Sequence, residues 1–312
     1  MIGYVDAFVP AFGLLALGAL LKRRLLPDEA VWAGIERLIF WVLLPALLVA
    51  AIGSVQLGEV PVLGMMTAIW VALAIGTLAA LGLARYFRQP HAAMTSVLMG
   101  GIRFNNLIGF SVAGALFGLP GLALGAVATG LIVPFVQFVT NIAFATGGSI
   151  GGGKRVRPWQ VLRQILLNPL MLACVIGFAV AWAGGLPPGV KPLMESLGRA
   201  SVALGLLAVG AALSLGAMRD RVALQFATAG LKLIVMPGLT LLFCLALGLE
   251  PLPTAMAVLF MALPTAATSY VMARAMGGDA PLMAAITSTE HVLALVSLPF
   301  WLFLVKHLTG LG

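Results

Sequence analysis

Between Val60 and Ala84 the chain carries no Asp, Glu, Lys or Arg, and comparable apolar runs recur along nearly its whole length, separated by short polar or basic stretches. Roughly 20 apolar residues are what an α-helix needs to cross the hydrocarbon core of a bilayer. In that solvent each backbone N–H and C=O must be bonded inside the protein, which makes helices the natural form for such runs. Of the 312 residues, 62% are hydrophobic and 9% charged, and the mean hydropathy is +1.11. That leaves too little polar surface to cover a soluble globule. With short turns the length accommodates about ten spans and no sizeable extramembrane domain.

The spans expected are Val5–Leu21, Ile35–Ile52, Val60–Phe87, Ala92–Phe117, Leu122–Ala145, Val161–Trp182, Arg199–Leu215, Val222–Leu247, Pro253–Met276 and Leu282–Val305. The formal net charge of +8 sits in clusters after the first, third, fifth and seventh spans: Lys22, Arg23 and Arg24; Arg85 and Arg88; Lys154, Arg155 and Arg157; Arg219 and Arg221. Such clusters set membrane orientation and place both termini outside; they do not point to nucleic acid. The N-terminus lacks a basic leader and a small-residue cleavage site, so the first span reads as retained. Cys174 and Cys244 lie inside spans without metal-ligand companions and read as apolar packing.

The Gly/Ser-rich, basic stretch 147–157 reads as a cytoplasmic linker. It divides the chain into residues 1–146 and 158–312, each with five spans. An odd number per half forces the second half to enter the membrane inverted, an arrangement suited to alternating access. The fold expected is an all-α polytopic membrane protein of ten transmembrane helices, built as two inverted five-helix repeats.

Two spans are interrupted. The fourth contains Gly100-Gly101-Ile102-Arg103-Phe104-Asn105-Asn106 at its middle, and the ninth contains Leu263-Pro264-Thr265-Ala266-Ala267-Thr268-Ser269. Proline removes a backbone donor and crowds the preceding turn, and unsatisfied polar groups at membrane depth are tolerated only against protein or a cavity. At ~1.5 Å per residue both breaks reach the bilayer midplane. Interrupted helices at corresponding places in two halves are the best sequence pointer to a transporter's binding site.

Within these breaks Arg103 offers paired donors and a permanent charge for a carboxylate, or else a structural ion pair. Asn105 and Asn106 offer amides suited to an organic acid, or helix–helix hydrogen bonds. Pro264, Thr265, Thr268 and Ser269 could line the same cavity, although hydroxyls often bond back to their own helix. Glu290 and His291, deep in the tenth span, form a titratable pair that reads as proton coupling or as a static buried ion pair. Lys232, about ten residues into the eighth span, could pair with Glu290, neutralise an anion or reach the interface with its long stem.

The order and spacing of Leu17-Gly18 to Arg24, Leu44-Pro45-Ala46-Leu47, Arg103-Phe104-Asn105-Asn106 with Gly109, Asn168-Pro169-Leu170, Lys232 with Pro237, and Leu263-Pro264-Thr265-Ala266 resemble a bacterial member of the auxin efflux carrier family. That family is related in fold to bile acid:sodium symporters and sodium/proton antiporters. The resemblance implies a carrier whose helices 4 and 9 cross at the substrate site, with spans 1, 2, 6 and 7 as a scaffold and alternating access of elevator type. Family members commonly carry Asn-Thr-Gly-Phe in the fourth span. Here Asn106-Leu107-Ile108-Gly109 stands instead and leaves the substrate open.

The function expected is secondary transport of small organic anions, such as carboxylates or auxin-like acids, across a cell membrane. The alternatives are a sodium-coupled symporter of the bile-acid type and, in a different class, an ion channel. The expected partners are the bilayer, the anion, a proton or sodium ion for coupling and, in a homodimer, a second copy. No cofactor, metal or nucleic acid is called for. Gly147-Gly148-Ser149-Ile150-Gly151 matches the nucleophile-elbow pattern but lacks its strand–turn–helix context, and no phosphate loop is present, so neither an enzyme nor an ATP-driven pump is expected.

Overall fold

A computed structural model describes residues 2–54, 61–146, 163, 167, 169–213 and 221–311, with side chains from Phe8 onward. The linker 147–157 with its Gly-x-Ser-x-Gly stretch, Asn168 and Arg219 lie outside the described residues. Among the described residues the regular elements are all helical: α1 (Ile2–Arg24), α2 (Glu29–Leu38), α3 (Leu44–Ile52), α4 (Val62–Tyr86), α5 (His91–Ile102), α6 (Asn106–Thr146), α7 (Pro169–Trp182), α8 (Val190–Ala212), α9 (Val222–Gly230), α10 (Met236–Ala246), α11 (Pro251–Ala262), α12 (Thr268–Met276) and α13 (Ala280–Thr309). Six segments of the described residues are long and apolar enough to cross a membrane: Glu29–Ile52, Val62–Tyr86, His91–Thr146, Val190–Ala212, Val222–Ala246 and Ala280–Thr309. This is the pattern of a multi-pass membrane protein.

Helices begin earlier than hydropathy suggests in two places. Asp28 caps α2 by accepting from the Ala30 N–H at 2.8 Å, so the helix starts at Glu29 and not near Ile35. α8 starts at Val190, ahead of Arg199, and takes in the charged turn with Lys191 and Glu195. Hydropathy reports depth in the membrane, whereas a cap and helix propensity decide where a helix starts. α6 is interrupted at Gly118, whose φ of 59° lies in the left-handed region, a conformation that glycine adopts without a Cβ clash. That turn separates the fourth and fifth spans.

Two π-turns, Ile39–Leu43 and Leu231–Val235, run into helices with proline at the second position, Pro45 and Pro237. Proline lacks the N–H that would reach back four residues and its ring crowds that carbonyl, so a locally widened turn relieves the clash. The carbonyl that Pro237 cannot reach is that of Leu233, and Trp301 Nε1 donates to it at 2.7 Å. A long-range side-chain bond thereby replaces a lost helical one.

The chain divides into two compact units. Unit 1 comprises Met1–Val62, Asn106–Gly130 and Leu166–Ala212, and unit 2 comprises Leu63–Asn105, Leu131–Ile165 and Leu213–Gly312. In unit 1, α1 and α8 pack backbone to backbone. A Cβ on Gly18 would collide with the Leu207 carbonyl, and one on Gly210 with the Leu15 carbonyl. Close approach through small residues is the usual way membrane helices gain contact, because lipid removes the hydrophobic drive between them.

Unit 2 has an apolar cluster of Ala84, Ala93, Val97, Met99, Leu224, Ala273, Leu282, Met283 and Ile286, drawn from α4, α5, α9, α12 and α13. At one end Arg221 donates to Asp279 Oδ2 at 2.7 Å and to Gln89 Oε1 at 3.4 Å. Asp279 Oδ1 caps α13 through the Leu282 N–H at 3.0 Å, and the Asp279 N–H donates to the Ala92 carbonyl at 2.9 Å. The starts of α5, α9 and α13 are thus tied together.

Candidate functional site

Both interrupted spans are interrupted in the structure, and both breaks belong to unit 2. α5 ends at Ile102, Arg103 is extended (φ −75°, ψ 163°), and residues 103–105 are not helical. α11 ends at Ala262, Leu263 is extended (φ −62°, ψ 141°), and α12 resumes at Thr268. Pro264 is buried inside this second break.

The breaks are bonded to each other. Thr265 Oγ1 donates to the Met99 carbonyl in the last turn of α5 at 3.2 Å. From the other side Arg103 reaches across: its Nε donates to Ser269 Oγ at 2.8 Å and a terminal nitrogen donates to Thr268 Oγ1 at 3.4 Å. Its other terminal nitrogen lies 3.3 Å from Met272 Sδ. All of these partners are neutral, and among the described residues Arg103 has no carboxylate partner. A guanidinium has five N–H donors, so donors remain for a further ligand. Its Thr268 partner is exposed and opens α12, whose N-terminal end carries the positive pole of the helix dipole.

α13 passes beside both breaks. Glu290 Oε2 accepts from the Thr265 N–H at 2.8 Å, and His291 Nε2 lies 3.2 Å from Asn105 Nδ2. His291 Nδ1 is 2.7 Å from the Thr287 carbonyl. One assignment satisfies both contacts: Nδ1 carries the proton and donates to the carbonyl, while Nε2 accepts from the Asn105 amide, so the ring is neutral.

Lys232 sits in the π-turn between α9 and α10, and both it and Glu290 are 0% exposed. Lys232 Nζ and Glu290 Oε1 have no hydrogen-bond partner among the described residues. The two groups interact electrostatically without closing a direct ion pair. Gly100 lets α5 approach α9 and α13, since a Cβ there would lie 2.7 Å from Ile286 Cγ2, 2.8 Å from Thr228 Cγ2 and 3.5 Å from Glu290 Oε1.

Of the residues singled out from sequence, Arg103, Asn105, Pro264, Thr265, Thr268, Ser269, Lys232, Glu290 and His291 all fall in unit 2. Asn106 falls in unit 1, where its Oδ1 accepts from Thr129 Oγ1 at 3.0 Å. Sequence reasoning passed over Met272, which contacts Arg103, and Gln225, whose Oε1 accepts from Thr289 Oγ1 at 2.6 Å. Gln225, Thr228 and Lys232 recur at helical spacing, a polar stripe that was available to be read. Unit 1 has a cavity of about 420 Å³ lined by Leu47, Phe110, Leu119, Leu122, Glu195 and Arg199 among others, and none of the candidate residues lines it.

Residues 155–302 match the family described as membrane transport protein. An uncharacterized transporter of Methanothermobacter thermautotrophicus is 24% identical over 96% of this chain and 97% of its own length. A Rhizobium meliloti protein provisionally named a malonate transporter is 28% identical over 86% of this chain and 85% of its own, and an uncharacterized transporter of Escherichia coli K12 is 23% identical over 97% and 98%. These names describe transporters and not enzymes. The matched segment takes in Lys232, the second break, Glu290 and His291, whereas Arg103, Asn105 and Asn106 precede it.

Proposed function

We propose that the protein is a secondary carrier of small organic anions, with the substrate held where the two broken helices meet. The observation that carries this reading is Arg103. It is a permanent cation at the junction of two breaks, held in place by hydroxyls and a thioether and neutralised by no carboxylate among the described residues. A guanidinium in a low-dielectric site recognises a carboxylate by paired, charge-assisted hydrogen bonds. Asn105, Thr265, Thr268 and Ser269 add neutral donors and acceptors, and Pro264 keeps the second break from closing into helix.

The finer reading is of ten spans in two inverted five-helix repeats, residues 1–146 and 158–312. Helices 4 and 9 cross at the anion, both termini lie outside the cell membrane, and the linker 147–157 lies inside. Transport is by alternating access of elevator type, with the unit that holds both breaks carrying the anion. Glu290, with Lys232 and His291 near it, serves coupling to a proton or sodium ion. Small carboxylates, malonate among them, are the substrates to try first, in keeping with the name given to the Rhizobium relative.

Uptake of radiolabelled mono- and dicarboxylates into proteoliposomes, with and without imposed pH and sodium gradients, tests this. Saturable uptake with counterflow by unlabelled substrate is the expected result. Ion currents far faster than a carrier's turnover, with no saturable uptake, would favour the channel reading.

A further inference from the structure

Unit 2 holds the half-buried Arg103 at the junction of its two breaks and the fully buried Lys232 and Glu290, with Glu290 bonded to the second break, and with His291 neutral these side chains carry one positive charge in excess. A net charge inside a membrane protein is unfavourable, because desolvation is not made good by solvent. A monoanionic substrate balances the set. A dianionic substrate leaves it one negative charge over. We propose that Glu290 corrects this imbalance: it stays ionised beside Lys232 when the site is empty or holds a monoanion, and takes up one proton when the site holds a dicarboxylate, while Lys232 serves as the built-in cation that makes sodium unnecessary.

The geometry supports this assignment of roles. Of the two carboxyl oxygens, Oε2 is held by the Thr265 N–H, a contact that survives protonation of its neighbour, whereas Oε1 has no hydrogen-bond partner among the described residues. The proton comes from solvent and forms an O–H bond at Oε1; no other bond forms or breaks, and the proton leaves when the dianion does. Thr265 is itself part of the second break, so the titrating group touches the substrate region through one backbone bond. Lys232 lies on a π-turn, a local widening of the helix often found at functional positions.

The elements packed on α13 bring few other charges. α5 has His91 at its start and Arg103 just past its end, α9 follows Arg221, which is paired with Asp279, and α12 carries the exposed Arg274. α11 has no charged residue. His291 is the neighbouring titratable group on α13 itself. Among these, Lys232 is the group that interacts electrostatically with Glu290.

This inference rests on the anion-carrier reading and is tested so that the two fail separately. Proteoliposomes containing the full chain are given malonate or its monomethyl ester, with pH kept above the range in which the second carboxyl of malonate titrates. Under an acid-outside gradient, malonate accumulates about tenfold per unit of pH gradient, as expected for one proton per dianion. The ester gains nothing, and replacing sodium by choline changes neither rate. The two-substrate comparison is made on the unmodified protein and needs no variant. Equal stimulation of both substrates, stimulation of neither, or a several-fold fall of malonate uptake without sodium overturns the proposal while leaving the carrier intact. Absence of exchange of either substrate overturns the carrier reading and the inference with it.

Discussion

Glu290 and His291 are consecutive residues of α13, and each holds a different chain break: the Glu290 carboxylate binds the Thr265 N–H at 2.8 Å, and the His291 ring lies 3.2 Å from the Asn105 amide. One helix is therefore joined to both halves of the proposed anion site. A change of charge or position on α13 is felt at both breaks at once.

Asn105→Ala removes the amide that His291 Nε2 accepts from, and Pro264→Ala restores a backbone donor whose absence keeps the second break open. Each changes polar groups at the site and leaves the apolar cluster of unit 2 alone. An orphaned buried partner costs about 1–3 kcal/mol. Transport per folded molecule should fall about tenfold or more in both variants, while the amount of folded protein in the membrane changes less than about twofold. Transport at the parent rate by both variants would place the substrate elsewhere.

Gly100→Leu inserts a side chain where even a Cβ would lie 2.7 Å from Ile286 and 2.8 Å from Thr228. Overpacking of this kind costs about 1–3 kcal/mol, and more where backbone must move. Thermal unfolding in detergent should shift down by several degrees, with transport lost. Gly82→Leu is the control, because nothing lies within 4 Å of a Cβ at Gly82; it should behave like the parent.

The bond from Trp301 to the Leu233 carbonyl exists because Pro237 cannot supply one. Trp301→Phe should destabilise by about 1–3 kcal/mol, since a buried carbonyl is left unpaired. Pro237→Ala returns a helical N–H to that carbonyl, so the double variant should recover part of the loss. A double-mutant cycle on thermal stability reads the coupling. Strictly additive effects would show that the two residues do not share this carbonyl.

Positive clusters at Lys22–Arg24, Arg85 with Arg88, and Lys154–Arg157 are expected to orient the chain with the linker 147–157 inside. Gly153→Cys in a background lacking Cys174 and Cys244 should resist an impermeant thiol reagent applied to intact cells and react after permeabilisation. Labelling from outside would reverse the orientation.

Both breaks were legible because lipid cannot satisfy the polar groups that glycine, proline, arginine and asparagine bring to the middle of an apolar run, so the chain there must meet protein or a cavity. The structure interrupts the helices at Arg103 and Leu263. Glu290 and Lys232 were legible as buried charges for the same reason. Their closeness was not, since Lys232 sits in the π-turn at Leu231–Val235, which has no local sequence signal strong enough to place a side chain. Asn106 shows the converse. It adjoins Asn105 in sequence, yet it opens α6 and bonds Thr129 in the other unit, because a chain break lets neighbouring residues serve different packing environments. The early starts of α2 and α8 were hidden by their charged first turns.

Whether Arg103 binds the substrate's carboxylate is decided by the affinity of Arg103 variants for malonate. Half-saturation is measured for exchange at symmetrical pH in proteoliposomes, so that proton coupling does not enter. Arg103→Lys keeps the charge but loses the planar fork, and should weaken apparent affinity about tenfold; Arg103→Gln, which removes the charge, should weaken it further. Unchanged half-saturation in both variants, with normally folded protein, would remove Arg103 from the anion site and leave it as a strut between the two breaks.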